Sequence, residues 1–333
     1  MDFARIVTRP DHDLNQYLLR GCRMTTEIFV ISGFLGAGKT TLIQKLLKEA
    51  FKNEKVVLIE NDFGEISVDA ALLKSGSIEV KEINSGCICC SLSGDFVRAL
   101  KELLERYHPD KIIIEPSGVG KLSDIVKACS DPRIQPLAKV KTKITVADVK
   151  RCKMYLDNFG EFFEDQIENA DIVLLSRSED FPGKVNDAYK LMKSLNMHAP
   201  VLSGPWRQIA ADEILYPGHE HHAHDPREHA HGDHDCNCEH NHSAEEAFDT
   251  VTIRTKRIFS IADLKARVTS MERSARGTIL RVKGIVRTPI GYVNLQYLPG
   301  DVRITNCAAS GDMICIIGRN LNRRELASLF DGE

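Results

Sequence analysis

The stretch from Gly33 to Thr41 combines residue types and a spacing suited to binding phosphate. It reads Gly-Phe-Leu-Gly-Ala-Gly-Lys-Thr-Thr and fits the pattern G-x-x-x-x-G-K-[ST]. Glycines let backbone N–H groups curl around phosphates without Cβ clashes, and a helix N-terminus adds positive potential. Lys39 would reach the β- and γ-phosphates of a nucleotide, and Thr40 would hold Mg²⁺. The predicted nucleotide contacts are Gly33, Gly36, Ala37, Gly38, Lys39, Thr40 and Thr41.

Two acidic segments follow predicted strands farther along the chain. Glu60 and Asp62 come after the apolar run 55–59, and Glu115 follows the run 111–114. The carboxyl ends of strands in an α/β sheet lie on the ligand side, so Glu60 and Glu115 are candidate metal ligands. Lys39, Asp62 and Glu115 are the candidate catalytic residues; Glu115 would hold a metal-bound water or position the attacking one. The N–H of Gly118 could sense a γ-phosphate. The alternatives are an ordinary solvated loop for the first segment and a buried strand with a charged end for the second.

Three cysteines within four residues, Cys87, Cys89 and Cys90, suggest a metal site. In an extended segment Cys87 and Cys89 point the same way. Thiolates at this spacing suit Zn²⁺, Co²⁺, Ni²⁺ or Cu⁺, but they are too few for a closed tetrahedral structural zinc site. An open or shared site, suited to transfer, is therefore expected; the alternative is that these cysteines are buried as small hydrophobic residues.

Nine of the twelve histidines lie in the segment 219–242, with six acidic residues and one arginine. The segment has no hydrophobic periodicity, so it cannot form a packed core. Imidazoles at varied spacing bind Zn²⁺, Ni²⁺, Co²⁺ or Cu²⁺ with little geometric selectivity, which favours a metal-loading segment over a solvated linker. The candidate ligands are His219, His221, His222, His224, His229, His231, His234, Cys236, Cys238, His240 and His242.

Length, composition and net charge limit the classes of protein to which this chain can belong. A chain of 333 residues with 43% hydrophobic content can form two domains, and its net charge of −3 argues against a general nucleic-acid binder. No apolar run approaches the roughly 18 residues that span a bilayer, and no signal peptide is visible. We therefore expect a cytoplasmic protein with reduced thiols that binds neither nucleic acid nor membrane.

Strands and helices alternate through the first two thirds of the chain, which predicts an α/β fold. The strands are expected to form a parallel sheet with helices on both faces, including strands at 144–148 and 171–175 and helices at 159–169 and 184–195. From residue 249 strand and turn signals predict a smaller α+β domain with an antiparallel sheet, helices on one face and no catalytic constellation. Cys307 and Cys315 are expected in its core. The predicted divisions are 1–25 (a lead-in, either a short helix or a stretch before a start at Met24), 26–215 (phosphate-loop domain), 216–246 (histidine-rich linker) and 247–333 (α+β domain).

These motifs together resemble the CobW-like family of P-loop GTPases, which are related to the GTPases that insert nickel into urease and hydrogenase. Gly33–Thr41 resembles the family's phosphate loop, and residues 60–65 its E-N-E-F-G-E segment with Asp62 replacing a glutamate. Residues 86–90 match its G-C-x-C-C motif, and residues 115–118 are similar to its E-[TS]-[ST]-G segment. Arg281-Val282-Lys283-Gly284 and Ile317-Gly318-Arg319 resemble parts of its C-terminal domain. The resemblance implies binding of GTP with Mg²⁺.

One segment departs from the family pattern. Where the family has N-K-x-D for reading guanine, this chain has Ser176-Arg177-Ser178-Glu179. Glu179 could accept hydrogen bonds from guanine, whereas Ser176 cannot replace an asparagine amide and Arg177 would cover the base less closely. These three residues are the candidate base contacts.

The resemblance implies a metallochaperone that delivers zinc, cobalt or nickel to a client metalloprotein or a cofactor-synthesis enzyme. In that reading GTP orders the switch segments and brings Cys87, Cys89 and Cys90 together, and hydrolysis releases the ion. Two alternatives stay open: a metal store that uses the histidines, and a nucleotide switch that activates a metalloenzyme without handling metal. A homodimer is possible.

Overall fold

The computed structural model describes residues 4–8, 25–52, 54–61, 79–83, 95–218, 247–274 and 276–331. The strands of the first domain are β1 (Ala4–Thr8), β2 (Thr26–Ser32), β3 (Val56–Asn61), β4 (Glu79–Ile83), β5 (Lys111–Glu115), β6 (Ala138–Asp148), β7 (Ile172–Ser176) and β8 (Val201–Leu202). They form one sheet in the order β4-β1-β3-β5-β2-β6-β7-β8. Strands β2, β3, β5, β6, β7 and β8 are parallel, and β1 lies antiparallel between β3 and β4.

The helices of this domain are α1 (Lys39–Glu49), α2 (Asp95–Tyr107), α3 (Leu122–Cys129), α4 (Cys152–Glu168), α5 (Pro182–Leu195) and α6 (Ala211–Leu215). The predicted α/β fold is confirmed, and the differences in detail include the following. Residues 4–8 form a strand rather than part of a helix, α3 was not predicted, and α4 begins seven residues earlier than its pattern indicated. Phe159 interrupts α4 with non-helical angles (φ −141°, ψ 35°), which explains why the helical pattern became regular only after it.

The sheet has a hydrophobic core on each face. Along β2, Ile28 and Val30 pack into the core that contains α2 and α4, whereas Phe29 and Ile31 pack on the other face against α1. All four side chains are fully buried. A strand buried on both faces cannot alternate polar with apolar residues, so β2 reads as a continuous apolar run. Burying each large side chain contributes about 1.5–3 kcal/mol, which fixes the strand that carries the phosphate loop.

The second domain is an antiparallel sheet with two helices. Its elements are β9 (Asp249–Arg254), α7 (Ile261–Ser274), β10 (Thr278–Thr288), β11 (Gly291–Leu298), β12 (Asp301–Cys307), β13 (Met313–Arg319) and α8 (Arg323–Leu329), with strand order β12-β11-β10-β13-β9. Strand β12 was not predicted because its outward residues are polar and half of it is exposed. The helices cover one face, as predicted, through a core that includes Val282, Leu295 and Leu264.

The other face of this sheet packs on the first domain. Leu280, Cys315 and Ile317 belong to the same core cluster as Phe34 and Tyr155 of the first domain. Cys315 is fully buried, as expected, whereas Cys307 is only half-buried. In the described part of the chain, no helix has both the length and the apolar character needed to cross a membrane.

Candidate nucleotide-binding cleft

The phosphate loop connects β2 to α1 and its glycines are dictated by close packing. Gly33 (φ 141°) lies against the backbone of Val146, so a Cβ at this position would collide with that carbonyl. Gly38 (φ 110°) is the N-cap of α1 and accepts a backbone hydrogen bond from Leu42 at 3.1 Å. Positive φ angles are readily adopted only by glycine, so the loop conformation follows from the sequence.

Lys39 is the first residue of α1 and points back over the loop. Its side chain is 6% exposed, and its Nζ donates to the carbonyl oxygen of Gly33 at 3.0 Å. The same Nζ lies 3.9 Å from Oε1 of Glu115. The lysine is therefore held above the loop amides, where an anionic phosphate would lie.

Two carboxylates from neighbouring strands line the same cleft as the lysine. Glu60 on β3 lies directly opposite Glu115 on β5 in the parallel register, and both side chains are largely buried. Together with the Thr40 hydroxyl they offer hard oxygen donors, the type that Mg²⁺ prefers. The structure thus places Lys39, Glu60 and Glu115 in the lining of one cleft at the carboxyl ends of the strands, and their catalytic and metal-binding roles stay predictions.

The loop after Glu115 is anchored by a buried amide from α4. Gln166 is fully buried, and its Nε2 donates to the carbonyl oxygens of Gly120 at 2.8 Å and Gly118 at 3.4 Å. Gly118 itself lies against Leu35 of the phosphate loop, where an added Cβ would be 2.8 Å from Leu35 Cδ2. Gln166 thus fixes the position of the predicted γ-phosphate sensor relative to the phosphate loop.

An aromatic cluster supports the phosphate loop from below. Phe34 stacks on Tyr155 and Phe159 of α4, with ring centroids 4.3 and 5.6 Å away, and lies 6.4 Å from Phe248 at the start of the second domain. The Tyr155 hydroxyl donates to the carbonyl oxygen of Leu35 at 3.0 Å. Burial raises the pKa of Tyr155, so its proton stays on the hydroxyl and the hydrogen bond persists across the physiological pH range. Both domains therefore hold the loop.

Arg177, predicted to face the base, is bound to acidic residues. It follows β7 with a left-handed φ of 58°. Its Nε lies 3.3 Å from Asp148 and its Nη1 3.4 Å from Asp301 of the second domain. Asp148 also binds Arg151 at 2.7 Å, and Arg151 lies 3.8 Å from Asp301. Arg177 lines the cleft but is held by this charge cluster between the domains.

The other two candidate base contacts, Ser176 and Glu179, are not among the residues that line the cleft. Ser176 is buried and its hydroxyl is 3.5 Å from the carbonyl of Ala147. Glu179 is half-exposed, pairs with Arg207 at 2.9 Å and does not line the cleft. Trp206, which the sequence analysis did not single out, donates to the Leu175 carbonyl at 2.9 Å and lies beside Gly38.

The cleft above the loop has a volume of about 280 Å³ and is lined by both domains. The second domain, in which the sequence indicates no catalytic constellation, supplies one wall of this cleft. The lining residues from the second domain are Arg281, Gln296, Leu298, Asp301 and Arg303; those from the first include Gly36, Gly38, Lys39, Thr40, Thr41, Gln44, Glu60, Glu115, Gly118 and Arg177. A signal was available: Arg281 and Lys283 put charges at alternate positions within the otherwise apolar stretch 279–286, which indicates that one face of β10 is not ordinary core.

The predicted cargo ligands are not tested by this structure. Among the described residues there is no group of three or more His, Cys, Asp or Glu side chains placed to hold a metal ion. Asp62, Cys87, Cys89, Cys90 and the eleven candidate ligands from His219 to His242 lie outside the described residues. Their roles stay predictions.

Comparisons with known proteins give the following similarities. Residues 27–203 match the family described as CobW/HypB/UreG, nucleotide-binding domain, and residues 248–332 match the cobalamin synthesis protein cobW C-terminal domain. The chain is 30% identical over 293 residues to the zinc chaperone CobW of Sinorhizobium sp, covering 78% of this chain and 81% of that protein. It is 34% identical over 154 residues to the zinc chaperone YeiR of Escherichia coli, covering 46% of this chain and 47% of that protein. It is 27% identical over 235 residues to the zinc-regulated GTPase metalloprotein activator 1 of Dictyostelium discoideum, covering 57% of this chain and 48% of that protein.

Proposed function

The chain belongs to the CobW/HypB/UreG family of P-loop GTPases, and we propose that it is a metallochaperone that carries zinc and couples its release to GTP hydrolysis. The observation that carries the proposal is the cleft in which Lys39, Glu60 and Glu115 meet over the phosphate loop. Zinc is favoured over cobalt and nickel because two of the similar proteins are zinc chaperones.

The residues of the cleft have distinct roles in this proposal. The loop amides and Lys39 bind the β- and γ-phosphates, and the Gly118 N–H senses the terminal phosphate. Mg²⁺ would be held by Thr40, Glu60 and Glu115, and it supplies neutralisation of phosphate charge. Glu115, with Asp62 beyond the described residues, orients the attacking water. Lys39 moves from the Gly33 carbonyl to phosphate oxygen, a stronger charge-assisted partner.

The backbone topology supports coupling between this cleft and the cysteines. Asn61 of β3 and Ile83 of β4 both lie opposite Ala4 of β1, so the carboxyl ends of β3 and β4 lie at the same end of the sheet. Two strand spacings put these ends about 10 Å apart. Cys87 follows Ile83 by four residues, which span at most about 14 Å. A nucleotide-dependent change at Glu60 is therefore within reach of Cys87, Cys89 and Cys90, the proposed zinc thiolates.

We expect the protein to prefer GTP over ATP although the usual N-K-x-D contacts to guanine are missing. Arg177 is engaged by Asp148 and Asp301, and Glu179 by Arg207, so the base would have to displace one of these ion pairs or use other groups. Competition between GTP and ATP for a fluorescent nucleotide on the full chain tests this. We expect tighter binding of GTP, with a smaller margin over ATP than an N-K-x-D sequence gives.

Cellular context follows from the same chemistry. The four cysteines in the described part of the chain, Cys129, Cys152, Cys307 and Cys315, are free thiols, which suits a cytoplasmic protein. We propose that the protein acts there on a client metalloprotein or cofactor-synthesis enzyme, alone or as a homodimer.

Two other functions make different predictions. In a metal store the residues 219–242 would bind nearly all the zinc, and the nucleotide would not change its affinity. In an activator that handles no metal, the cysteines would hold no tight zinc ion; the Dictyostelium relative is named a zinc-regulated GTPase metalloprotein activator.

Zinc titration against a chromophoric chelator separates the three. Each titration is done with GDP and with a non-hydrolysable GTP analogue. The proteins compared are the full chain, the variant Cys89→Ser, a deletion of residues 219–242, and Cys307→Ser as the matched cysteine control. We expect one tight site that strengthens with the analogue, survives in the deletion and in Cys307→Ser, and is lost in Cys89→Ser. By linkage zinc must tighten analogue binding by the same factor. Equal zinc affinity with both nucleotides would refute the coupling.

A further inference from the structure

The second domain touches the phosphate loop directly. Gly36 has a φ of 69°, and a Cβ added to it would collide with the side chain of Leu298 on β11. The glycine therefore allows both the left-handed backbone and the close approach of the second domain. Leu298 lies at the point where the loop turns towards Lys39, so its neighbours in the sheet are next to the phosphate-binding amides.

Arg281 is the neighbour of Leu298 across the strand pair. Val282 of β10 lies opposite Tyr297 of β11, and both are buried in the core under the helices. Successive residues of a strand face opposite sides, so Arg281 and Leu298, which come next to this pair on the two strands, both lie on the face turned to the phosphate loop. Paired residues in adjacent antiparallel strands are about 4.5–5.5 Å apart, less than the reach of an arginine side chain.

A second observation places the charge of Arg281 near the loop. Burial raises the pKa of Tyr155, and Arg281 is among the nearby cations that oppose the rise. The Tyr155 hydroxyl is itself 3.0 Å from the Leu35 carbonyl in the phosphate loop. The half-buried Arg281 also lines the cleft, so its guanidinium is within the electrostatic range of whatever the loop binds.

The other arginines of the cleft are in poorer positions. Arg177 lines the same cleft, but its guanidinium is held between Asp148 and Asp301. Arg303 lies on the outer strand β12, has a side chain 64% exposed to solvent, and is 3.4 Å from Asp301. Arg281 is on the central strand, closest in register to the residue that contacts Gly36.

We propose that Arg281 contacts the terminal phosphate of the bound nucleotide and stabilises the transition state of hydrolysis, as an arginine supplied in cis by the second domain. The inference rests on the proposed GTPase function. Water adds to the γ-phosphorus, its protons end on the phosphate product or in solvent, the bond to the β–γ bridging oxygen breaks, and the electron pair of that bond goes to the bridging oxygen, giving GDP and phosphate. The guanidinium neutralises the charge that develops on the bridging and γ-oxygens. The second domain thereby distinguishes GTP from GDP.

The test is single-turnover GTP hydrolysis and nucleotide affinity in the full chain for Arg281→Ala, Arg281→Lys and Arg287→Ala. Arg287 is an exposed arginine of the same strand outside the cleft, so its variant is the matched control. An arginine in this role contributes on the order of a thousandfold or more in other GTPases. We expect at least about a tenfold slower rate for both Arg281 variants, GDP affinity within about threefold of the wild type, and an unchanged Arg287→Ala.

Rescue separates chemistry from misfolding. Added guanidinium at non-denaturing concentration should speed Arg281→Ala and leave Arg287→Ala unaffected. Hydrolysis by Arg281→Ala within twofold of the wild-type rate would overturn the assignment, as would an equal loss of GDP and GTP-analogue affinity without any rescue. A wild-type chain that fails to hydrolyse GTP would instead refute the proposed function.

Discussion

Gln166 provides the sharpest test of how the protein holds its γ-phosphate loop. The side chain is fully buried in α4, and its amide nitrogen binds the carbonyl oxygens of Gly120 and Gly118. Gln166→Leu keeps the approximate shape and removes both hydrogen bonds. We expect the loop from Pro116 to Gly120 to lose its anchor, which weakens binding of a non-hydrolysable GTP analogue more than binding of GDP.

The magnitude follows from the two bonds. The bond to Gly120 is short, 2.8 Å, and contributes about 1 kcal/mol, whereas the bond to Gly118 at 3.4 Å contributes less. Leaving a buried carbonyl without a partner costs about 1–3 kcal/mol. The Oε1 atom of Gln166 is buried without a hydrogen-bond partner among the described residues, so its removal offsets part of the loss. The net expectation is about 2 kcal/mol, a fall in Tm of roughly 4–8 °C for a domain of this size.

Thermal unfolding and analogue binding are measured together, with Lys153→Ala as the control. Lys153 is on the same helix, its side chain is 74% exposed, and its ion pair with Asp157 is on the surface. Its variant should unfold within about 0.5 kcal/mol of the wild type. If Gln166→Leu matches the wild type in both Tm and analogue affinity, the amide does not hold the loop and the reasoning fails.

Three further predictions concern other parts of the molecule. Gly36→Ala should lower nucleotide affinity at least about tenfold, because the added Cβ strains the positive φ and collides with Leu298. Adding Leu298→Ala should recover part of the lost affinity. No recovery would mean that the contact between the two residues is unimportant. Asn196→Ala should lower the free energy of unfolding, measured by urea denaturation, by about 3 kcal/mol. The reason is that the side-chain amide of Asn196 donates to three carbonyls and accepts from one N–H, at 2.9–3.1 Å. A change under about 1 kcal/mol would contradict this. Burial raises the pKa of Cys129 to about 12. Iodoacetamide at pH 8 should therefore label Cys307 but not Cys129 in the folded protein, as read by mass spectrometry. The free energy of unfolding should also fall as the pH rises above 9, because there the Cys129 thiol ionises only in the unfolded chain.

The sequence predicted the phosphate site because its signal is local. The glycines, Lys39 and the acidic residues after β3 and β5 are each fixed by the strand that precedes them, and parallel strands bring those ends together. The antiparallel domain was also predictable in outline, since its strands alternate clearly. The kink at Phe159 and the polar strand β12 were missed because neither produces a regular hydrophobic period.

Contacts between the domains could not be predicted in the same way. Asp301 and Arg177 are 124 residues apart, and nothing in either local sequence indicates that they meet. The role of the second domain in the cleft depends on how two folded sheets dock. Only the charged alternation of Arg281 and Lys283 on β10 hinted at it.

The packing of Leu298 against Gly36 makes the two halves of this chain interdependent in evolution. A chimaera that joined this nucleotide domain to the C-terminal half of a distant homologue would succeed only if the incoming strand fitted a glycine at the loop. Any exchange of these modules is therefore constrained at this pair of residues, among the other contacts between the domains, and compensating changes at positions 36 and 298 should be inherited together.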